Sequence, residues 1–110
     1  MKIAIIGSRN LSIYNLNKYI PTNATEIVSG GAKGIDTYAK EFALKHNIKL
    51  TEFLPEYNIF GKAAPIRRNH KIVDYSDEVL AFWDGKSKGT KSVIEYCKKT
   101  NKQVTVITMI

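Results

Sequence analysis

The alternation of strand-like and helical segments is the feature that most limits the folds open to this chain. Five short apolar runs alternate with four stretches of helical character. Most of the runs are nearly continuous in apolar residues, as expected for strands that helices cover on both faces. This alternation predicts one domain over residues 1–110, with a parallel sheet and right-handed crossovers. The predicted strands are residues 2–6, 26–29, 48–54, 78–83 and 103–108.

The four predicted helices differ in how strongly the sequence indicates them. The second, about residues 34–46, has an apolar stripe with helical spacing. The fourth, about 90–100, ends in two lysines that suit the helix dipole, and the third, about 65–75, opens with a proline in its first turn. The first, about 12–20, has the weakest pattern, and Pro21 ends it.

Three of the turns that follow predicted strands are rich in glycine or polar residues. They read GSRN after the first strand, GGAKGID after the second and DGKSKGT after the fourth. Open α/β sheets bind ligands at the carboxyl ends of strands, where the strand order reverses. The order 3-2-1-4-5 makes these three strands neighbours, whereas the flavodoxin-like order 2-1-3-4-5 puts the third strand between the first and the fourth. We therefore predict a Rossmann-like three-layer α/β sandwich with a five-stranded parallel sheet of order 3-2-1-4-5.

The turn after the second strand indicates an anion site. Gly30, Gly31 and Gly34 leave backbone N–H groups accessible, and Gly31 or Gly34 is expected to adopt a backbone conformation closed to side chains. The helix that follows adds positive potential at its N-terminus, and Lys33 supplements it. A tight connection between strand and helix would need the same glycines, however, and the turn is neither a Walker A loop nor a dinucleotide fingerprint.

The turns after the first and fourth strands also carry groups that bind anions, and together the three turns predict a phosphate-bearing ligand. Ser8 offers a hydroxyl, and Arg9 offers a guanidinium that can hold phosphate at two points. Thr90 is predicted to cap the fourth helix or to donate to phosphate. Trp83, at the end of the fourth strand, either stacks on a base or belongs to the core. The candidates at these two turns are Gly7, Ser8, Arg9, Trp83, Asp84, Gly85, Ser87, Lys88, Gly89 and Thr90.

Positive charge near the start of the third helix also indicates an anion. Arg67, Arg68 and Lys71 lie there, although cations oppose the dipole at a helix N-terminus. Arg68 and Asn69 are the site candidates, and the sequence leaves open which of the two arginines faces inward. The net charge of +7 favours acidic partners in the same way. The connection 55–61 is predicted to be a flexible lid or to pack over the sheet edge.

Other classes of site find no support among the residues. His46 and His70 have no partners at metal-ligand spacing, and Ser8 and Ser87 lack the context of a serine nucleophile. We therefore predict no metal, no cofactor and no catalytic serine. No apolar run approaches the roughly 20 residues of a membrane span, and the first run is too short for a signal peptide. The lone Cys97 is expected in the core, and the chain is interpreted as cytoplasmic with no membrane partner.

The motifs at these positions resemble the YspA-type branch of the SLOG superfamily, which is named for the Smf/DprA and LOG proteins. The similarity runs in order through IIGSR, SGGAKGID, APIRRNHKIVDYSDEVLAFWDGKSKGT and VIEYCKK. The resemblance implies a Rossmann-like domain that binds nucleotides or nucleotide-derived ligands of the NAD or ADP-ribose type, and a homodimer or higher homo-oligomer. The ligand-binding positions that it implies are Gly7, Ser8, Gly30, Gly31, Gly34, Arg68, Gly85, Ser87, Gly89 and Thr90.

One departure from the related LOG hydrolases bears on activity. Their catalytic glutamate follows a Gly-Thr pair by three residues, and Val93 occupies that position here. Glu95 lies two positions further on, a turn of about 200° on a helix, and should face away. Because N-glycosidic hydrolysis needs a carboxylate, only Asp84 or Asp36 could replace the glutamate. No other catalytic residue is predicted.

Three functions follow from the sequence, in order of preference. The first is a stand-alone domain that senses or sequesters a nucleotide or nucleotide-derived molecule. The second is a LOG-like phosphoribohydrolase acting on a nucleoside monophosphate, with Asp84 as its carboxylate. The third, less favoured, is DprA-like binding of single-stranded nucleic acid, with Tyr57 and Trp83 as stacking platforms for bases.

Overall fold

Five parallel strands form the centre of the protein, and their order confirms the predicted sheet. The computed structural model describes residues 1–13 and 15–109. The strands pair in the order β3-β2-β1-β4-β5, and every pairing is parallel. Their bounds are Lys2–Gly7 for β1, Glu26–Ser29 for β2, Lys49–Glu52 for β3, Glu78–Trp83 for β4 and Gln103–Thr108 for β5.

The third strand is shorter than the predicted 48–54. Its partner β2 ends at Ser29, which pairs with Glu52. Beyond that pair, one more backbone hydrogen bond joins the two segments, from the Phe53 N–H to the Ser29 carbonyl at 2.9 Å. The apolar run therefore continues past the point at which a neighbouring strand is available to pair with it.

Three of the four predicted helices are present. They are α1 over Ile35–Lys45, α3 over Ala64–Tyr75 and α4 over Lys88–Lys99. The connection between β3 and α3 contains a single helical turn, α2, over Tyr57–Phe60, and a 3-10 turn over Gly61–Ala63. An ion pair of 2.7 Å between Lys71 Nζ and Glu56 Oε1 joins this connection to α3.

The predicted first helix, 12–20, is wrong for the described residues. That segment contains only a 3-10 turn over Leu16–Lys18, and Tyr14 lies outside the described residues. Asn15 and Asn17 favour turns because their side chains compete for backbone hydrogen bonds, and Pro21 prevents a helix from continuing. Leu16 is nevertheless buried, so the segment covers the core without being a helix.

Two apolar clusters, one on each face of the sheet, make the sandwich three layers deep. Strand positions such as Ile5 and Phe82 pack with α1 on one face, and Ala4 and Val79 pack with α3 and α4 on the other. Cys97 of α4 is fully buried in the second cluster, as expected, and this burial raises the pKa of its thiol to about 11. Among the described residues, no helix is both long and apolar enough to cross a membrane.

The position of β1 determines where the site forms. This strand pairs with β2 on one side and with β4 on the other. In a parallel sheet the carboxyl ends of neighbouring strands lie at one edge, and ligands bind where the order reverses. The turns after β1, β2 and β4 therefore meet at this edge, above the N-termini of α1 and α4.

Candidate functional site

A cavity of about 440 Å³ lies at the carboxyl ends of β1, β2 and β4. Besides the predicted candidates, its lining includes residues that the sequence did not single out for binding, among them Ile6, Asn10, Ala32, Pro65 and Ile72. The cavity brings together three separate turns and the start of α3. The predicted candidates that line it are Gly7, Ser8, Arg9, Gly30, Arg68, Asn69, Asp84, Ser87, Gly89 and Thr90.

Six predicted candidates do not line the cavity: Gly31, Lys33, Gly34, Trp83, Gly85 and Lys88. The side chains of Lys33 and Lys88 are exposed outside it. Trp83 is partly buried against the apolar cluster under α3 and α4, and its Nε1 donates to the Ser87 carbonyl at 3.0 Å. The tryptophan therefore supports the turn that precedes α4 from outside the cavity.

The glycine-rich turn after β2 has the backbone conformation that its sequence predicts. Gly31 has a φ of +70° and Gly34 a φ of +75°, values that side chains rarely adopt. A Cβ at Gly34 would lie 2.4 Å from the carbonyl oxygen of Arg9. The turn after β2 thus packs directly against the turn after β1, because no side chain separates them.

A cluster of hydroxyl groups lies at the N-terminus of α4. Ser87, and not Thr90, is the N-cap, and its Oγ accepts from the Thr90 N–H at 3.4 Å. The prediction of Thr90 as the cap is wrong because α4 begins at Lys88, two residues earlier than expected. Thr90 Oγ1 instead lies 3.3 Å from Ser87 Oγ and 3.5 Å from Ser8 Oγ. We call Ser8, Ser87 and Thr90 the hydroxyl cluster.

Asp84 organises the turn that leads into α4. Its Oδ1 accepts from the backbone N–H groups of Ser87 at 2.7 Å and Lys86 at 2.8 Å. These two hydrogen bonds lower the pKa of the Asp84 carboxyl below its ordinary value. Its backbone N–H donates to Ser8 Oγ at 3.3 Å, so the residue also links this turn to the turn after β1.

Arg68, rather than Arg67, faces the cavity. Its Nη1 donates to the Gly30 carbonyl at 2.7 Å and to the Phe53 carbonyl at 3.4 Å. Its Nε donates to Asn69 Oδ1 at 2.8 Å, and its burial lowers the pKa of the guanidinium. Arg67 is exposed, with its guanidinium 5.3 Å from the centre of the Phe60 ring. Arg68 thus holds the ends of β2 and β3 to α3 while presenting a positive charge to the cavity.

Asp36 is the most buried charged residue of the cavity wall. It lies in the first turn of α1, and only 9% of its surface is exposed. Oδ2 accepts from the Ala32 N–H at 3.0 Å. Burial raises the pKa of the Asp36 carboxyl, against the opposing effects of the Ala32 hydrogen bond and the Arg68 charge. The sequence indicates Asp36 only as a carboxylate near a helix N-terminus and as a candidate to replace the missing glutamate.

The cavity wall is apolar at the position where LOG hydrolases carry their glutamate. Val93 lines the cavity and is 2% exposed, whereas Glu95 is exposed on the outer face of α4. The predicted orientation of Glu95 is therefore confirmed. The carboxylates that line the cavity are those of Asp36 and Asp84.

A family model described as DNA recombination-mediator protein A matches residues 1–56, just over half of the chain. The chain belongs to this family. The match also supports membership of the SLOG superfamily, which the sequence motifs resemble. Comparisons with curated proteins and with solved structures give no significant match.

The residues that match the DNA recombination-mediator protein A model contribute one side of the cavity. Residues 1–56 contain β1, β2 and β3, together with Ser8, Arg9 and Asp36. Arg68 and the two α4 members of the hydroxyl cluster lie beyond the match. The motifs that resemble the YspA-type branch most specifically, around Asn69 and WDGKSKGT, also lie in that second half.

Proposed function

We propose that residues 1–110 form a single SLOG-like domain of the YspA-type branch that binds a phosphate-bearing nucleotide or nucleotide-derived small molecule. The observation that carries this proposal is the hydroxyl cluster inside the cavity at the N-terminus of α4. Three hydroxyl groups and the backbone N–H groups of a helix N-terminus together provide the donors that a phosphate accepts from.

The dimensions and charge of the cavity are compatible with this ligand class. Sites for small molecules and cofactors commonly enclose about 300–1,000 Å³, and this cavity encloses about 440 Å³. Arg9 and Arg68 bring positive charge to its wall. Lys33 and Lys88 are exposed nearby, and they raise the positive potential that attracts an anion from solution.

The domain senses, sequesters or delivers its ligand in this proposal, and acts as a homodimer or higher homo-oligomer. Val93 occupies the position of the catalytic glutamate of LOG hydrolases, and Asp84 is held by the turn that it caps. Both observations favour binding over turnover. Multiple turnovers of base release from a nucleoside monophosphate, abolished by Asp84→Asn, would favour the hydrolase instead.

Single-stranded nucleic acid is a second candidate ligand, and two observations favour it. The family is described as a DNA recombination mediator. The net charge is +7, and four lysines of α4, Lys88, Lys91, Lys98 and Lys99, are exposed. In this alternative the hydroxyl cluster holds one phosphate of the strand, and the lysines attract its neighbours. Each phosphate contact should steepen the slope of log affinity against log salt concentration by about 0.7.

A thermal-shift screen tests the two candidates. The probes are NAD, ADP-ribose, cyclic ADP-ribose isomers, nucleoside monophosphates and short single-stranded DNA. A ligand at 100 times its dissociation constant stabilises the fold by about 2.7 kcal/mol. At roughly 4–8 °C per kcal/mol, the expected shift is on the order of 10 °C. A shift by DNA alone that disappears at high salt would refute the small-molecule candidate.

Matched variants test the site itself. Thr90→Val removes one hydroxyl while keeping the shape of the side chain, and should lower the affinity about tenfold, since hydrogen bonds to charged groups contribute roughly 1.5–3 kcal/mol. Thr105→Val makes the same change at an exposed position of β5 and is the control. Gly89→Val should abolish binding without unfolding the chain, because a Cβ there meets no atom within 4 Å. Arg68→Ala should also cost tenfold or more.

A further inference from the structure

The sheet edge at β5 lacks the features that usually protect an edge strand. β5 pairs with β4 on one side, and among the described residues no strand pairs with it on the other. Edge strands usually carry charges, proline or a bulge, or lie under a helix or loop. β5 reads QVTVIT, without charge or proline, its six residues pair with β4 without interruption, and Thr105 and Val106 are exposed. Its outer backbone groups are therefore accessible to a further strand.

The opposite edge of the sheet has such protection. β3 is four residues long, against six in β5, and it carries the exposed charges of Lys49 and Glu52. Short length and charged side chains both oppose pairing between edges. A head-to-tail contact of β5 with β3 would also continue from molecule to molecule, whereas a contact of β5 with itself closes after two copies. The sequence thus opposes a filament while leaving a closed pairing open.

One hydrogen bond shows which residues of β5 direct their backbone groups outward. The Met109 N–H donates to the Trp83 carbonyl at 2.8 Å, so the backbone groups of Met109 face β4. Successive residues of a strand direct these groups to alternate sides, so every second residue before Met109 faces β4 as well. The residues whose N–H and C=O groups face outward are therefore Val104, Val106 and Thr108.

These three residues match the same three residues of a second copy. A two-fold axis perpendicular to the sheet places one β5 antiparallel to the other. With the axis at Val106, this valine lies opposite its own counterpart, and Val104 lies opposite Thr108. Facing residues of this kind exchange both of their hydrogen bonds, so the three pairs satisfy all the outward groups. Shifting the register by two residues leaves at least one of the three without a partner.

We propose that β5 is a homodimer interface at which two copies pair antiparallel around Val106 and join their sheets into one. A second copy fits better than an unrelated strand because it supplies the same uncharged, β-branched side chains and the matching set of outward groups. The proposal names a surface for the homo-oligomer included in the proposed function. It does not depend on the ligand, so association and binding are measured separately.

Light scattering of the protein eluting from a sizing column tests for the dimer. We expect a mass of twice 12.4 kDa. Because each copy has a net charge of +7, salt should screen the repulsion between copies and preserve or strengthen the association. Copies that are held together by bound nucleic acid would separate at high salt instead. Either that result or the mass of one chain at every concentration would overturn the proposal.

Cysteine substitutions test the register. Val106→Cys should form a disulfide across the axis, since facing residues of this kind have Cα atoms about 5.5 Å apart. Val104→Cys is the matched control on the same face of the same strand. In this register its two copies are four positions apart, about 13 Å, and should not cross-link. Cys97 is fully buried and should not take part. Equal cross-linking of both variants, or none at Val106→Cys, would refute the pairing.

Variants that block the edge test the interface itself. Val106→Pro removes an outward N–H, a change that an edge strand tolerates. It should weaken the dimer at least about tenfold, because the symmetry removes that hydrogen bond twice. Val106→Lys, which places a charge on the edge, is the second variant in case the proline variant does not fold. Leu44→Lys makes a similar change at an exposed apolar position of α1 and should leave the dimer intact.

The results separate this proposal from the proposed function. If the dimer persists in both Val106→Pro and Val106→Lys, the β5 interface is wrong, whatever the thermal-shift screen finds. If no probe in that screen binds but the dimer behaves as described, the proposed ligand is wrong and the interface stands.

Discussion

Replacing Gly34 with alanine should destabilise the protein severely. Gly34 has φ +75° and ψ −123°, a combination that residues with a Cβ rarely adopt. The added Cβ would also lie 2.4 Å from the carbonyl oxygen and 2.8 Å from the carbonyl carbon of Arg9. Both contacts are with backbone, which cannot rotate away as a side chain can, so the turns after β1 and β2 must separate.

The expected magnitude follows from these two effects. A residue held in such a backbone region costs about 1–3 kcal/mol. Overpacking adds roughly another 1–3 kcal/mol. We therefore expect Gly34→Ala to lower the free energy of unfolding by at least about 2 kcal/mol, which corresponds to a fall in Tm of at least ~8 °C. Chemical denaturation monitored by circular dichroism measures the first quantity and a thermal scan measures the second.

Two other glycines separate the contributions of strain and contact. Gly85 has φ +82°, but a Cβ there meets no atom within 4 Å, so Gly85→Ala should show the cost of strain alone, about 1–3 kcal/mol. Gly89 lies in α4 with open space around it, and Gly89→Ala should be neutral or stabilising by up to about 1 kcal/mol. If Gly34→Ala is no more destabilising than Gly85→Ala, the close approach of the two turns has no energetic consequence and the reasoning fails.

Three further predictions concern titratable groups. Because burial raises the pKa of Cys97 to about 11, a thiol reagent at pH 8 should leave the folded protein unlabelled and modify it only after unfolding; rapid labelling of the folded protein would contradict its burial. Burial raises the folded-state pKa of Asp36 above its unfolded value of about 3.9, so the stability of the wild type relative to Asp36→Asn should fall as the pH rises through this interval. Backbone hydrogen bonds lower the pKa of Asp84, so the advantage of the wild type over Asp84→Asn should be present above about pH 3.9 and disappear as the pH falls through the folded-state pKa. Urea denaturation between about pH 3 and 7 measures both differences, and differences that do not change with pH would refute the assigned environments.

The sequence by itself determined the fold. Alternating β and α segments can form a parallel sheet only through crossovers, whose handedness is fixed. The location of the unusual turns then selected the order 3-2-1-4-5, which the structure confirms. The positive φ at Gly31 and Gly34 was also predictable, because it is a local property of a glycine-rich turn.

Only the tertiary structure decided which side chains face the cavity. Successive residues on a helix differ by about 100° in direction. Arg67 and Arg68 are therefore the same residue type in different surroundings, since Arg67 is exposed and Arg68 lines the cavity. The sequence also could not place Trp83 and Thr90. Trp83 supports the turn before α4 from outside the cavity, and Thr90 lies beside Ser8, which is 82 residues away in the chain. The environment of Asp36 likewise depends on the charge of Arg68, which lies 32 residues further along the chain in α3. Backbone preference is a property of short segments, whereas the position of a side chain in a site depends on contacts between segments that the sequence keeps far apart.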